Sequence, residues 1–222
     1  MGLIHLIRSS YGALNILYRI SGLINLFCRR YSRAENCAAR QSVLLPPGLL
    51  NGQNRFPLAE LPYGAWRMGS NGCEAIAAYN ALQELGIPET LPEVAEQLER
   101  RGLLFNGFGG TNLGALTGFF RRKNVGCHVL RRRDRHNYDT AFAAADCGIL
   151  SYWTGKTLRR TDKSWNTLHT VSIHPARNGV LVCNVSMRGT VPMAAASIEA
   201  FLQTETAEPV CLFLLAKPVD KS

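Results

Sequence analysis

Apolar residues recur at helical spacing in three segments near the middle of the chain: residues 73–85, 90–101 and 111–123. The first segment carries apolar side chains on more than one face, so we expect a largely buried helix. The second opens with Thr90 and Glu93 in capping-box spacing and stops at Gly102. These patterns predict a helical region before the strands begin.

Strand patterns dominate the rest of the chain, in five short apolar segments: residues 125–130, 148–153, 168–174, 180–185 and 209–216. The pair Asn178-Gly179 between the third and fourth segments indicates a tight hairpin. Residues 197–203 predict a short helix before the last strand. Helices followed by hairpin-linked strands predict an α+β fold with an antiparallel sheet, because a parallel sheet would require strands and helices to alternate.

The first residues differ from everything that follows them. Apolar positions in residues 3–27 alternate at helical spacing with polar positions that include Arg8 and Arg19, which predicts an amphipathic helix. Those charges argue against a membrane span, and residues 1–30 could instead bind an anionic membrane surface or pack on protein. Residues 29–48 look like a linker that ends at Pro-Pro-Gly. We therefore divide the chain into 1–48, a helix and linker, and 49–222, a catalytic domain.

Composition limits the expected partners and compartment. The chain has 222 residues, of which 46% are hydrophobic, enough for one sizeable core, and a formal charge of +9 that favours anionic partners. Its basic runs lack interleaved aromatic residues, so we expect no nucleic-acid partner. Seven cysteines form no Cys-x-x-Cys pair, which argues against a zinc knuckle. A reduced, cytoplasmic protein is expected, peripheral to the inner face of the membrane if the N-terminal helix binds there.

One cysteine stands at a chemically distinctive place, directly after Ser-Asn-Gly and at the start of the first helix. Partial positive charge at a helix start favours thiolate, so Cys73 is a candidate nucleophile. Its own main-chain amide could donate to an oxyanion, and Gly72 could let a substrate approach. The alternative is a small, buried and inert cysteine.

A base and an orienting group are needed beside such a nucleophile. His169 opens the strand HTVSIH, and Asn184 lies near the end of the next strand, VLVCNVS. A tight hairpin brings these strand ends together, so the two residues can be neighbours. His174 lies at the turn end of its strand, where we expect exposure to solvent.

This order of elements resembles the papain-like cysteine peptidases. More narrowly, it is similar to the bacterial domain that removes leader peptides from bacteriocins and to its stand-alone relatives, in which an HxVxI strand and a following strand carry His and Asp or Asn. The resemblance covers roughly residues 55–218. It implies a papain-like fold with a helical lobe on an antiparallel sheet. The implied roles are Cys73 as nucleophile, His169 as general base and then acid, and Asn184 as the orienting residue.

Two residues depart from the family pattern. Relatives usually have a glutamine six residues before the cysteine, where its amide donates to the oxyanion, and this chain has Arg67 there. Arg67 and the neutral amide of Asn71 are therefore the candidate oxyanion-hole donors. Glu74 follows the cysteine directly, where its charge would raise the thiol pKa.

These features predict a cysteine hydrolase that cleaves a peptide or amide bond in a peptide or protein substrate. Two alternatives stay open: a thioester acyltransferase at the same residues, and an inactive papain-like module that binds peptides and is tethered by its N-terminal helix. Arg67 favours the inactive module, whereas the retained Cys73, His169 and Asn184 favour an enzyme. No cofactor or metal is expected, because the thiol mechanism requires neither.

Overall fold

The computed structural model describes residues 30–154, 167–185 and 189–217. The amphipathic helix predicted for residues 3–27 lies outside this part. The described residues form an α+β structure with a six-stranded antiparallel sheet, as the sequence pattern predicts. Within the described residues, no helix combines the length and the apolar character needed to cross a bilayer.

The α-helices of the described residues are α1 (Arg33–Gln41), α2 (Met68–Asn71), α3 (Cys73–Glu84), α4 (Leu91–Arg101), α5 (Leu113–Arg121), α6 (Tyr138–Phe142) and α7 (Ile198–Thr204). Helices α3, α4, α5 and α7 agree with the predicted segments, whereas α1, α2 and α6 were not predicted. The capping box is confirmed: the Thr90 side chain accepts from the Glu93 amide, and the Glu93 carboxylate accepts from the Thr90 amide. Residues 73–82 of α3 are all buried, so this helix is a core element.

The strands are β1 (Pro62–Tyr63), β2 (Trp66–Arg67), β3 (Gly126–Arg131), β4 (Cys147–Trp153), β5 (Leu168–Ala176), β6 (Gly179–Cys183), β7 (Met193–Ala195) and β8 (Glu208–Ala216). The first two form a small separate ribbon, and the others pair in the order β3-β8-β4-β5-β6-β7. The predicted hairpin joins β5 to β6, where Ala176 pairs with Gly179. Gly179 has a φ of 126°, which explains a glycine at this turn.

Helices cover both faces of the sheet. Alternation along β4 places Ile149 in a core with α3, α4 and α5, whereas Leu150 belongs to a second core with α6 and α7. Each fully buried Leu, Ile or Phe in these cores stabilises the fold by about 1.5–3 kcal/mol. The sheet is therefore held from both sides, and α3 is fixed against β4 and β5.

The predicted linker over residues 29–48 is wrong for its central part, because α1 packs on the body of the protein. Arg40 is fully buried, and its guanidinium donates to both carboxylate oxygens of Glu99, at 2.8 and 3.0 Å. Glu99 also accepts from the Asn36 side chain and the Gly64 amide. A run of polar and charged residues predicted solvent exposure, and this bidentate buried ion pair reverses that expectation.

Candidate active site

A pocket of about 210 Å³ lies between the start of α3 and the start of β5. It contains all three residues that the sequence predicts as catalytic, Cys73, His169 and Asn184. Its lining residues are Gln53, Asn54, Gly69, Ser70, Cys73, Thr167, Leu168, His169, Asn184 and Val185. The packing of α3 on β5 is what brings these sequence-distant residues to one place.

Cys73 is the first residue of α3 and is only 6% exposed. Its Sγ donates to the Glu74 carboxylate at 3.3 Å. Burial raises the pKa of the Cys73 thiol well above its usual value, and the charge and hydrogen bond of Glu74 raise it further, against hydrogen bonds from Thr170. The resting sulfur is therefore a neutral thiol, which is the opposite of what the helix start alone predicts.

Gly72 serves the packing of the preceding turn. A side chain at this position would collide with Met68, whose side chain is fully buried below it. Glycine is thus required where α2 meets α3, at a φ of −99° that other residues also adopt. We had expected Gly72 to give a substrate access to the sulfur, and the structure assigns it a packing role instead.

His169 is held by one main-chain hydrogen bond. Its Nε2 lies 2.7 Å from the Asn184 carbonyl oxygen, and because a carbonyl only accepts, Nε2 carries the proton. The neutral ring then presents its lone pair at Nδ1. Burial lowers the pKa of His169, partly opposed by the bond to Asn184. The imidazole is therefore neutral near pH 7 and suited to accept a proton.

Cys73 and His169 line the same pocket but take different hydrogen-bond partners. The sulfur bonds to Glu74 and Thr170, whereas the His169 ring bonds to Asn184 and packs edge-on against Tyr152 with the ring centres 5.9 Å apart. Among the described residues, Nδ1 of His169 has no hydrogen-bond partner. Catalytic hydrogen bonds are often long in an enzyme without substrate, so this arrangement is compatible with a proton-transfer pair.

Asn184 connects His169 to a second segment of the pocket wall. Its backbone has a φ of 65°, and its main-chain N–H donates to Oδ1 of the Asn51 side chain at 2.8 Å. Its side-chain oxygen accepts from the main-chain N–H of Gln53, and its side-chain nitrogen donates to Gln53 Oε1, both at 3.0 Å. Asn184 thus reaches His169 through its carbonyl, whereas the resemblance to papain-like peptidases implies orientation by its side chain.

Gln53 is a pocket residue that the sequence analysis missed. Its Nε2 donates to the Gly69 carbonyl at 3.2 Å, and this nitrogen carries a second hydrogen. Gly52, with a φ of 75°, lets the chain pass close to Thr190, because a Cβ there would lie 2.9 Å from its methyl group. Leu50 and Asn80 exchange two hydrogen bonds that fix the segment to α3.

The two predicted oxyanion-hole donors do not line this pocket. The Arg67 side chain is 61% exposed and donates to the carbonyl and carboxylate of Glu60. Asn71 is the last residue of α2, and its carbonyl oxygen lies beside Gly110 on the side of Glu74. The spacing of six residues before Cys73 therefore leads to a side chain outside the pocket, whereas Gln53, from a segment further upstream, lines it.

His174 differs from the expected exposed residue. It is 2% exposed, with Nδ1 3.1 Å from Glu84 and Nε2 3.0 Å from Ser172 Oγ. This Ser-His-Glu arrangement has the connectivity of a catalytic triad. Ser172 is fully buried and also accepts from Asn80, so the group is a polar link between α3 and β5 with no room for a substrate at the hydroxyl.

Comparison with known proteins gives no match. No protein-family model matches the chain, and neither the curated proteins nor the solved structures contain a significant match. Within the described residues, no group of three or more His, Cys, Asp or Glu side chains is placed to hold a metal ion. The functional argument therefore depends on the pocket and its chemistry.

Proposed function

We propose that this protein is a papain-like cysteine hydrolase that cleaves a peptide or amide bond. The observation that carries the proposal is the pocket shared by Cys73, His169, Asn184 and Gln53. A thiol, a neutral imidazole whose Nδ1 has no partner among the described residues, and side-chain amides are groups that can support acyl transfer through a thioester.

Attack on the substrate begins with removal of the thiol proton. Nδ1 of His169 accepts the proton from Cys73, the Sγ–C bond forms, and the carbonyl electron pair moves to the oxygen. The imidazolium then protonates the leaving amine as the C–N bond breaks. The Asn184 carbonyl stabilises this imidazolium, since it accepts from Nε2 throughout. Water, with His169 again as base, resolves the thioester.

Stabilisation of the oxyanion falls to Gln53 in this proposal. The second hydrogen of its Nε2 is available to a negatively charged oxygen in the pocket, together with the main-chain amide of Cys73 at the start of α3. Its Oε1 is fixed by Asn184, which locks the orientation of the amide plane. Gln53 therefore takes the role that the sequence analysis gave to Arg67 and Asn71.

A peptide-binding module without catalysis is the second candidate. It is favoured by the raised pKa of Cys73 and by the separate hydrogen bonds of the sulfur and the imidazole. In that case the pocket would bind a peptide without forming a thioester. Formation of an acyl-enzyme separates the two candidates.

An activated ester tests for the acyl-enzyme without knowledge of the natural substrate. We expect p-nitrophenyl acetate to acetylate Cys73, detected by peptide mass spectrometry after acid quench, and expect no acetyl group at this site in Cys73→Ala. Cys37→Ala is the matched control, because Cys37 is the cysteine of α1 and lies outside the pocket. Acetyl groups spread over several cysteines, or none on Cys73, would favour the inactive module.

Amide cleavage is then tested with a pool of peptides in H₂¹⁸O. A hydrolase incorporates ¹⁸O at new C-termini, and Cys73→Ala produces none. In an acyltransferase, p-nitrophenyl acetate would also acetylate Cys73, but the acyl group would then pass to an added amine, and no ¹⁸O would appear at new C-termini. This outcome would keep the thioester chemistry and change the acceptor.

A further inference from the structure

The thiol of Cys73 hydrogen-bonds to a carboxylate that the proposed mechanism does not use. Glu74 is 3% exposed, and its Oε2 lies 3.3 Å from Cys73 Sγ. The thiol is the donor in this bond if the carboxylate is ionised, because an ionised carboxylate can only accept. The proton that must leave for catalysis is therefore on the sulfur and directed at the Glu74 carboxylate in the resting protein.

Glu74 has polar donors around it and no counter-ion within the part of the chain that the structure describes. The Thr111 amide and the Thr170 hydroxyl hydrogen-bond to its carboxylate. The titratable groups beside it are Cys73 and Tyr63, whose hydroxyl bonds to Thr111 Oγ1 at 2.5 Å. Among the described residues, no basic side chain contributes to the pKa of Glu74, which burial raises to about 7.

The two acidic groups of this pair cannot easily be charged together. A thiolate and a carboxylate in contact repel each other strongly in a buried site, so ionisation of one suppresses ionisation of the other. Glu74 has the lower pKa of the two and ionises first. Cys73 therefore loses its proton only at a pH well above that at which Glu74 becomes charged.

We propose that Glu74 is a positioning residue that sets the protonation state of Cys73. This inference rests on the proposed function, in which Cys73 is the nucleophile. The ionised Glu74 carboxylate keeps the sulfur as a neutral, latent thiol, and removal of its charge makes thiolate accessible at lower pH. The nucleophile is thus restrained by its own neighbour in the chain until a substrate and His169 draw the proton away.

The pH dependence of Cys73 alkylation by iodoacetamide tests this role, because it requires no substrate. The rate at Cys73 is followed by peptide mass spectrometry in the unchanged protein, in Glu74→Gln and in the control Glu84→Gln, which removes a carboxylate at the far end of α3. We expect Glu74→Gln to lower the alkylation midpoint by about one pH unit or more, which is roughly tenfold faster alkylation below the midpoint. Glu84→Gln should follow the unchanged protein. Coincident curves for Glu74→Gln and the unchanged protein would overturn the proposal.

A second measurement applies if Glu74→Gln does not fold. The variant Glu74→Met also removes the charge and should lower the Cys73 alkylation midpoint in the same direction, and a midpoint equal to that of the unchanged protein would overturn the proposal. Failure of the proposed function is observed separately. It would appear as no acetyl group on Cys73 from p-nitrophenyl acetate in either protein, whatever the alkylation midpoints are.

Discussion

The two ends of the α3–β5 contact carry the same residue types and differ in what they can do. At one end, Cys73 of α3 lines a pocket together with His169 of β5, and its sulfur bonds to the buried Glu74. At the other end, Glu84 of α3 bonds directly to His174 of β5, which bonds to Ser172. At the first end, Nδ1 of His169 has no partner among the described residues, whereas at the second both ring nitrogens of His174 form hydrogen bonds within the core.

Access and unused hydrogen-bonding capacity therefore distinguish a candidate site from a structural link. A fully satisfied Ser-His-Glu group stabilises the packing of a helix on a sheet and leaves nothing for a substrate. The pocket end lowers the stability of the fold, because it buries a carboxylate, a thiol and an imidazole whose charged forms are all disfavoured there. Such perturbed groups around a cavity are characteristic of functional sites.

The largest expected difference is between the two histidines. His169→Gln should reduce acylation of Cys73 by about 10²–10⁴-fold, because the general base is lost. His174→Gln should leave acylation per folded molecule unchanged and lower the free energy of unfolding by about 1–3 kcal/mol, since Ser172 and Glu84 lose a buried partner. Acylation kinetics and urea denaturation measure the two effects. Equal loss of acylation in both variants would contradict the comparison.

Gln53→Glu tests the proposed role of Gln53 as an oxyanion donor at the pocket end of the α3–β5 contact. The glutamate retains an acceptor for Asn184 but loses the amide donor, so we expect the acylation rate to fall by about 10²–10³-fold. Arg55→Ala, at an exposed position nearby that does not line the pocket, is the control and should change the rate little. Pre-steady-state release of p-nitrophenolate gives both rates. An acylation rate in Gln53→Glu equal to that of the control would show that the Gln53 amide does not stabilise the oxyanion.

Glu74→Gln should also stabilise the protein at alkaline pH. Burial raises the pKa of Glu74 from 4.5 to about 7, so its contribution to stability is present at acid pH and is lost as pH rises towards 7. Above about pH 7 the variant should gain on the order of 3 kcal/mol over the unchanged protein, and near pH 4 the two should be similar.

Glu84→Gln gives the matched comparison at the other end of α3. Its carboxylate is partly exposed, so we expect a change within about 1 kcal/mol. Urea denaturation at several pH values measures both variants. A pH-independent difference between Glu74→Gln and the unchanged protein would show that the charge of Glu74 is not what destabilises the fold.

The smallest effect is expected from Arg67→Ala. Arg67 pairs with Glu60 on the surface, and exposed ion pairs contribute about 0–1 kcal/mol. Acylation of Cys73 should be unchanged, because the side chain lies outside the pocket. A loss of ten-fold or more in the acylation rate would restore the role that the family spacing implied.

Local patterns were sufficient to predict much of the fold. The capping box at Thr90, the start of α3 at Cys73 and the β5–β6 hairpin each depend on residues close together in the chain. The same patterns brought Cys73, His169 and Asn184 forward as candidates, since two of them stand at the start of an element and the third near the end of a strand.

Tertiary pairing decided the parts that the sequence analysis missed. Gln53 lies outside any helix or strand, and only its hydrogen bonds to Asn184 identify it. Arg40 looked like a linker residue until its partner Glu99 was known. His174 looked exposed because the register of α3 on β5, which supplies Glu84, cannot be obtained from local spacing. The available signal for Gln53 was a polar, glycine-containing segment before the helices.

The central claim is that the sulfur of Cys73 and the imidazole of His169 face one pocket and can act together. The bifunctional reagent 1,3-dibromoacetone tests it most directly, because its two electrophilic carbons can join a thiol and a ring nitrogen only when both are within reach. We expect peptide mapping to find a single Cys73–His169 cross-link, formed faster in Glu74→Gln and absent in His169→Gln. A cross-link from Cys73 to another residue, or alkylated Cys73 with His169 unmodified, would contradict the account.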